Sequence, residues 1–336
     1  MNSTKKVIID CDPGIDDSLA LMLALDSPEL EIAGITVVCG NVPTKLGCEN
    51  VLKVLNLYGR EDVPVYRGEE KPLSRMLVTA QDTHGMDGLG ETGYEVPDDF
   101  SVNEGAVDFL IETLKTSQDI SIIALGPLTN IACALKKCPE AFKNLKMLVT
   151  MGGSYKSHGN CSPVAEFNYW VDPEAAGFVY ENLKRPIHMV GLDVTRKIVL
   201  TPDLISLICR FDDRKSWFVT EITKFYVDFH WNQEQILGCV INDPLAVAYF
   251  IDPSLCEGID AYTAVETEGM CAGQTVVDAY GFWKKTPNAK VLTETDTKAF
   301  MTMFLNRLFP GRASVISKQL DTIYPSFCKV NGGGCR

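Results

Sequence analysis

Val7-Ile8-Ile9-Asp10-Cys11-Asp12-Pro13-Gly14-Ile15-Asp16-Asp17 decides the fold of this chain and points to its chemistry. A β-branched run ends in four aspartates packed into eight residues. Pro13-Gly14 breaks the chain between the two pairs, and the apolar run Leu19 to Leu25 follows at once. The pattern predicts a strand, a tight loop and a buried helix, with four carboxylates at the strand's C-terminal end. Asp16 and Asp17 alone would pass as helix-start residues, where the helix dipole favours negative charge. Four anions around one turn repel each other and lose hydration unless a cation neutralises them. Oxygen ligands suit a hard divalent ion, calcium or magnesium.

The elements that follow repeat the theme. Glu31 to Val38 is an apolar, β-rich run ending at Cys39-Gly40-Asn41, and Pro43 to Tyr58 has a helical pattern. Val63 to Tyr66 reads as a short strand. After a weak stretch from Lys71 to Phe100, the expected elements are a helix to Lys115, a strand over Ile120–Leu125 and a helix over Leu128–Lys137. Leu145 to Met151 and Pro186 to Asp193 read as further strands. Strands alternating with helices predict an α/β protein with a parallel sheet, whose ligands bind at the carboxyl ends of the strands. The weak stretch contains Thr83-His84-Gly85-Met86-Asp87-Gly88-Leu89-Gly90, a loop too long for a plain connection: an active-site wall or a mobile excursion.

From Pro202 the chain reads as mainly helical. One helix, expected over Lys215–Phe229, is dense in aromatics and is closed by His230 and Trp231. Asn242-Asp243-Pro244 opens an apolar helix. Two later runs, Tyr262 to Val265 and Thr275 to Asp278, alternate like antiparallel strands, and Thr297 to Leu308 is the last expected helix. The glycine-rich end, 330–336, is expected to be mobile. No repeat or linker-like break appears, so residues 1–336 are expected to form a single domain.

Composition narrows the partners. A net charge of −13 argues against nucleic acid and anionic membrane surfaces. No run approaches the roughly 18 apolar residues of a membrane span. Twelve scattered cysteines include no C-x-x-C pair, so most are expected to be core residues of a reducing, cytoplasmic compartment.

The blocks collected so far resemble the calcium-dependent, inosine–uridine-preferring nucleoside hydrolases. The resemblance is carried in order by Asp10 to Asp17, Val38 to Asn41, His84 to Gly90, Leu125 to Asn130 and Gly159-Asn160. Ala165 to Asn168, Asp172 to Ala176, Gly191 to Thr195 and Asp243-Pro244 continue it. It implies an open, mainly parallel, Rossmann-like sheet with helices on both faces and a mostly helical C-terminal part. It implies hydrolysis of the N-glycosidic bond of ribonucleosides to free base and ribose, through an oxocarbenium-like transition state. One Ca2+ per chain is implied, held by Asp12, Asp17, Asp243 and the carbonyl of Leu125, with Asp10 behind them. Asp16 takes the general-base position beside a calcium-bound water. Asn41, Asn160, Glu166 and Asn168 match the ribose-binding positions and His84 the base side; beside this match, Tyr226 and Trp231 of the aromatic helix, with Asn242, are expected on the base side. The partner implied is a small nucleoside, in a homodimer or homotetramer.

One position departs from the family pattern. Members commonly carry His just before the second metal aspartate, and here that residue is Asn242. An amide delivers no proton near neutral pH. His230 is the expected substitute as leaving-group acid, since its ordinary pKa lies in the useful range. Base preference stays open. Two other readings compete: an aspartate-based phosphatase of the haloacid dehalogenase type, which also starts with a strand and D-x-D, and a nucleoside or ribose binder without turnover.

Overall fold

The computed structural model describes residues 4–96 and 101–325; the glycine-rich end lies outside them. The sheet begins with β1 (Lys5–Cys11), β2 (Leu30–Val37), β3 (Val65–Arg67) and β4 (Val102–Glu104). β5 (Ile120–Ala124), β6 (Leu145–Met151) and β7 (Ile187–Val190) follow. β8 (Val199–Leu200) and β9 (Cys239–Val240) form a separate antiparallel pair. β10 (Cys256–Val265), β11 (Thr275–Asp278) and β12 (Ala289–Thr295) complete the set. The ten-stranded main sheet runs β11-β10-β12-β7-β6-β5-β1-β2-β3-β4. It is parallel from β12 to β4, and β10 is antiparallel to both its neighbours.

Alternation along the central strands sorts the core into two layers. Val7, Ile9 and Cys11 of β1 face one cluster and Ile8 the other. Ile123 of β5 and Val149 of β6 share the first side, with Ile122 and Leu148 on the second. Such period-two sorting is what a strand covered on both faces imposes. Helices Ile15–Leu25, Asp243–Ile251 and Thr297–Leu308 pack on the first face. Helices Ala106–Thr116, Thr129–Lys137 and Pro173–Asn182 pack on the second.

The chain leaves β1 toward β2, β3 and β4, then returns to place β5 on the other flank of β1. The strand order therefore reverses at β1, and its carboxyl end opens into the crevice where such sheets bind ligands. The four-aspartate turn sits there.

Several sequence expectations change. The strand expected to reach Asp193 stops at Val190, and Leu192–Thr195 is a helical turn. The aromatic helix runs over Arg214–Glu234, so His230 and Trp231 lie inside it and not in a closing loop. β11 falls on the expected Thr275–Asp278 and pairs antiparallel with β10, which starts at Cys256, ahead of the expected Tyr262, and β12 joins them at the sheet edge. β4, β12 and helix Ala313–Ile323 went unrecognised. Among the described residues no helix is long and apolar enough to cross a membrane, and ten cysteines form no disulfide.

Candidate active site

Two glycines let the acidic turn fit between its neighbours. Asp12 is fully buried between the loops that follow β2 and β5. A side-chain carbon at Gly40 or Gly126 would collide with its carboxylate. Asp12 Oδ2 accepts from the Asn41 N–H at 2.7 Å, and Oδ1 is buried with no partner among the described residues. Asp17 closes the turn on itself. Its Oδ1 accepts from the Asp12 N–H at 3.2 Å and its Oδ2 from the Gly14 N–H at 3.0 Å. Asn41 Nδ2 adds a third donor to Asp17 at 3.0 Å. Asp17 thus serves the helix start as well as the cluster.

Asp243 arrives from across the crevice. It occupies the first turn of its helix, while Asn242, at the cap position, caps nothing with its side chain. One carboxylate oxygen each from Asp16, Asp17 and Asp243 lie within 4.8 Å of one another, and all three residues are buried. Asp16 Oδ2 accepts from Asn242 Nδ2 at 3.0 Å, the Asn242 N–H at 3.3 Å and Tyr226 Oη at 3.2 Å.

Asp10 lies behind the turn. Its Oδ1 accepts from Thr36 Oγ1 at 2.5 Å and Asn130 Nδ2 at 2.8 Å, and its Oδ2 is buried with no partner among the described residues. Asn130 Oδ1 in turn accepts from the Glu69 N–H at 2.8 Å. Asp10 therefore pins the ends of β1, β2 and β3 to one another. Nothing local in the sequence marks Thr36 for this role, whereas Asn130 belongs to the Leu125–Asn130 motif.

The electrostatics of this cluster demand a counter-charge. Every hydrogen bond just named comes from a backbone amide, a hydroxyl or a side-chain amide. Burial pushes the Asp10 carboxyl up to about 7. Burial and then Asp16 push Asp17 up to about 6. Burial with neighbouring carboxylates drives Asp12 and Asp243 well above the carboxylate range. An all-oxygen set with buried, unpartnered carboxylate oxygens fits a hard cation.

The pocket beside this cluster has a cavity volume of about 110 Å³. Asp16, Asp243, Asn41, Asn160, Glu166 and Asn168 line it, as do His84, Tyr226, His230 and Asn242. Each expected ribose-binding asparagine has one end of its amide already committed. Asn41 Nδ2 is held by Asp17. Asn168 Nδ2 bridges the carbonyls of Leu125 at 2.6 Å and Met151 at 3.1 Å. Asn160 Oδ1 accepts from the Phe167 N–H at 2.9 Å. The partner fixes which end is which, because a carbonyl cannot take a bond from an amide oxygen. Oδ1 of Asn41 and Asn168 and Nδ2 of Asn160 are left for a ligand. Glu166 caps the helix Phe167–Val171, accepting from the Asn168 and Gly153 N–H groups at 2.9 Å each. Burial raises its carboxyl to about 7.

The loop around His84 is a wall of this pocket. The short helix Gln81–His84 turns its imidazole over Gly14, and Nδ1 accepts from the Ile15 N–H at 3.1 Å. Asn50 Nδ2 fastens the loop by donating to the carbonyls of Pro13 at 3.1 Å and Asp87 at 2.9 Å. With Nδ1 accepting, the neutral ring carries its proton on Nε2; burial lowers its pKa.

The aromatic helix supplies the adjoining wall, the Tyr226 and His84 rings lying 5.2 Å apart. Tyr226, His230 and Glu234 line the pocket at four-residue steps, and Phe229, three beyond Tyr226, joins them. Trp231 is a correction: it stands outside the pocket, 45% exposed, because five residues on from Tyr226 a helix faces elsewhere. His230 Nδ1 lies 2.8 Å from the Tyr226 carbonyl, to which it donates, and burial lowers its pKa. Phe229, Glu234 and Arg196 were not anticipated from sequence.

Comparison with known proteins agrees with this geometry. The family model for inosine-uridine preferring nucleoside hydrolase matches residues 7–302. The pyrimidine-specific ribonucleoside hydrolase of Salmonella gallinarum is 37% identical over 305 residues, covering 90% of this chain and 97% of its own. A plant nucleoside hydrolase superposes with a TM-score of 0.87 at 33% identity, over 91% of this chain and 99% of its own. The purine-preferring ribonucleoside hydrolase from Gardnerella vaginalis gives 0.86 at 33%, over 94% and 100%. A match that spans the sheet, the aspartate turn and the pocket walls places this chain in the inosine-uridine preferring nucleoside hydrolase family.

Proposed function

We propose that the chain splits ribonucleosides into base and ribose with one calcium ion held by Asp12, Asp17, Asp243 and the Leu125 carbonyl, and with Asp16 as general base. The observation that carries this reading is the division of labour among the aspartates. Asp16 Oδ2 is committed to Tyr226 and Asn242, whereas Asp12 Oδ1 is buried with no partner among the described residues. Asp12 is therefore the better ligand and Asp16 the better base. When bound, the cation supplies positive charge that acidifies water and attracts ribose hydroxyls.

The remaining steps belong to the chain's own side chains. Three donors hold the Asp16 carboxylate in one orientation, and its Oδ1 takes the proton of the attacking water. The open amide ends of Asn41, Asn160 and Asn168, with Glu166, orient the ribose as its ring flattens. On the base side His84 offers an Nε2–H donor. The family match does not favour the phosphatase reading of the D-x-D turn.

A sugar lacking the 2′-hydroxyl leaves these buried polar groups unpaired. The expected result is a kcat/KM about 10²-fold or more higher on uridine or inosine than on the 2′-deoxy forms. Equal efficiency on the two sugars contradicts the ribose assignments.

His230 is the proposed leaving-group acid. Its Nδ1 is held by the Tyr226 carbonyl, which leaves Nε2 for the departing base. The His230→Ala variant should lose about 10²-fold or more on a nucleoside and little on p-nitrophenyl riboside, whose leaving group needs no proton. Burial lowers the His230 pKa, so the nucleoside rate that depends on its protonated form should fall as pH rises through a value below 6.5. Equal losses on both substrates would remove the acid role.

A further inference from the structure

An ion pair closes the rim of the pocket. Arg196 follows the helical turn Leu192–Thr195, and Glu234 ends the helix Arg214–Glu234; both line the pocket. Arg196 Nη1 lies 2.5 Å from Glu234 Oε2, and Nη2 lies 3.2 Å from Oε1. The two side chains are only 18% and 24% exposed. Nη2 also donates to the Gly159 carbonyl at 3.0 Å and lies 3.2 Å from His158 Nδ1. One planar guanidinium thus spans two elements, a geometry the single ammonium of lysine does not reproduce.

The two elements are the two sides of the site. Gly159 precedes Asn160, whose N–H returns to the Ala165 carbonyl at 3.2 Å and whose side chain meets the Phe167 N–H. Glu234 stands four residues beyond His230 and eight beyond Tyr226, on one helix face. The start of the Asn160 loop has a separate anchor. Asp193 accepts from the N–H groups of Tyr155, Lys156 and Ser157 at 2.6, 2.7 and 3.1 Å. Without Arg196, the segment carrying Asn160 would keep its own turns and the Asp193 anchor but lose its tie to the opposite wall.

We propose that Arg196 is a positioning residue for hydrolysis: it ties the loop carrying Asn160 to the last turn of the helix carrying Tyr226 and His230, and so fixes the spacing between the ribose side and the base side of the pocket. The tie rests on the assignment of those two sides made above. An ordinary exposed salt bridge contributes little. This one is shielded, two-pronged and shared with a backbone carbonyl beside a substrate-binding residue.

The test uses the full-length, calcium-loaded protein with Arg196→Gln, Arg196→Lys, and the reversed pair Arg196→Glu with Glu234→Arg. Hydrogen exchange is read by mass spectrometry and kinetics on a ribonucleoside. Arg196→Gln should raise exchange in the peptide spanning residues 158–166 about tenfold or more, with residues 153–157 unchanged. KM should rise about tenfold with kcat nearly kept, the signature of lost substrate positioning. Arg196→Lys should fall between wild type and Arg196→Gln. The reversed pair restores the charges but not the donor to Gly159, so it should be as defective as Arg196→Gln. Unchanged exchange over 158–166, or full rescue by the reversed pair, overturns the tie. Raised exchange with unchanged KM overturns its part in hydrolysis. An Asn160→Ala variant keeps the two readings apart: if it alone costs nothing, the ribose assignment has failed while the exchange result still judges the tie.

Discussion

Asp16→Asn should cut kcat by about 10²-fold or more, the usual scale for a lost general base, while one calcium ion still binds. The amide oxygen of asparagine can still accept from Tyr226 and Asn242, so the side chain keeps its place. What it loses is the basic oxygen facing water. Asp12→Asn and Asp243→Asn should behave differently. Each removes charge from the buried carboxylate set, so calcium affinity should drop first and the rate should recover in part at high calcium. Titrating calcium against all three variants, with ribose release as readout, separates the roles. Near-normal turnover in Asp16→Asn would remove it as the base. A calcium requirement shifted more by Asp16→Asn than by Asp12→Asn would exchange their roles.

Calcium should stabilise the fold far more at pH 8 than at pH 5. In the cation-free protein Asp10 and Glu166 titrate near 7 and Asp17 near 6, all raised by burial. A raised carboxyl means the fold binds its proton more tightly than the unfolded chain does. The stability this supplies is fully present below about pH 4 and lost as pH climbs through 6 to 7. Cation binding runs the other way, because the ligands must be deprotonated. At a hundredfold excess over Kd a ligand adds about 2.7 kcal/mol. The calcium-induced rise in Tm should be roughly twofold or more larger at pH 8 than at pH 5. Thermal unfolding of chelator-treated protein at both pH values, with and without calcium, reads this directly. An equal or smaller rise at pH 8 would mean that the buried carboxylates are not what the cation neutralises.

The parts of the molecule legible in the sequence are those whose signal is local. β1 announces itself by its β-branched run and its aspartates, and β2, β5 and β6 end in glycine or asparagine where the sheet meets the pocket. β4 and β12 carry weaker signals: one is three residues long, and the other interleaves Lys290, Thr293 and Glu294 with its apolar residues. The true end of the aromatic helix is hidden in the sequence because no glycine or proline stops it there. It stops where Gln235 takes a left-handed conformation at φ 58°. A helix ending at Phe229 leaves the facing of His230 and Trp231 undetermined from sequence alone. Helix geometry instead turns Tyr226, Phe229, His230 and Glu234 inward together. Thr36 and Arg196 left no local trace of their roles. They matter through partners 26 and 38 residues away, which only the fold brings near.

The most direct test of the central claim, that the aspartate turn works through a bound calcium ion, is ribose release from uridine and inosine by chelator-treated protein before and after calcium is added back. The account predicts that turnover falls to background after chelation and returns with calcium at about one ion per chain. Ribose release that survives chelation and does not respond to calcium would contradict it.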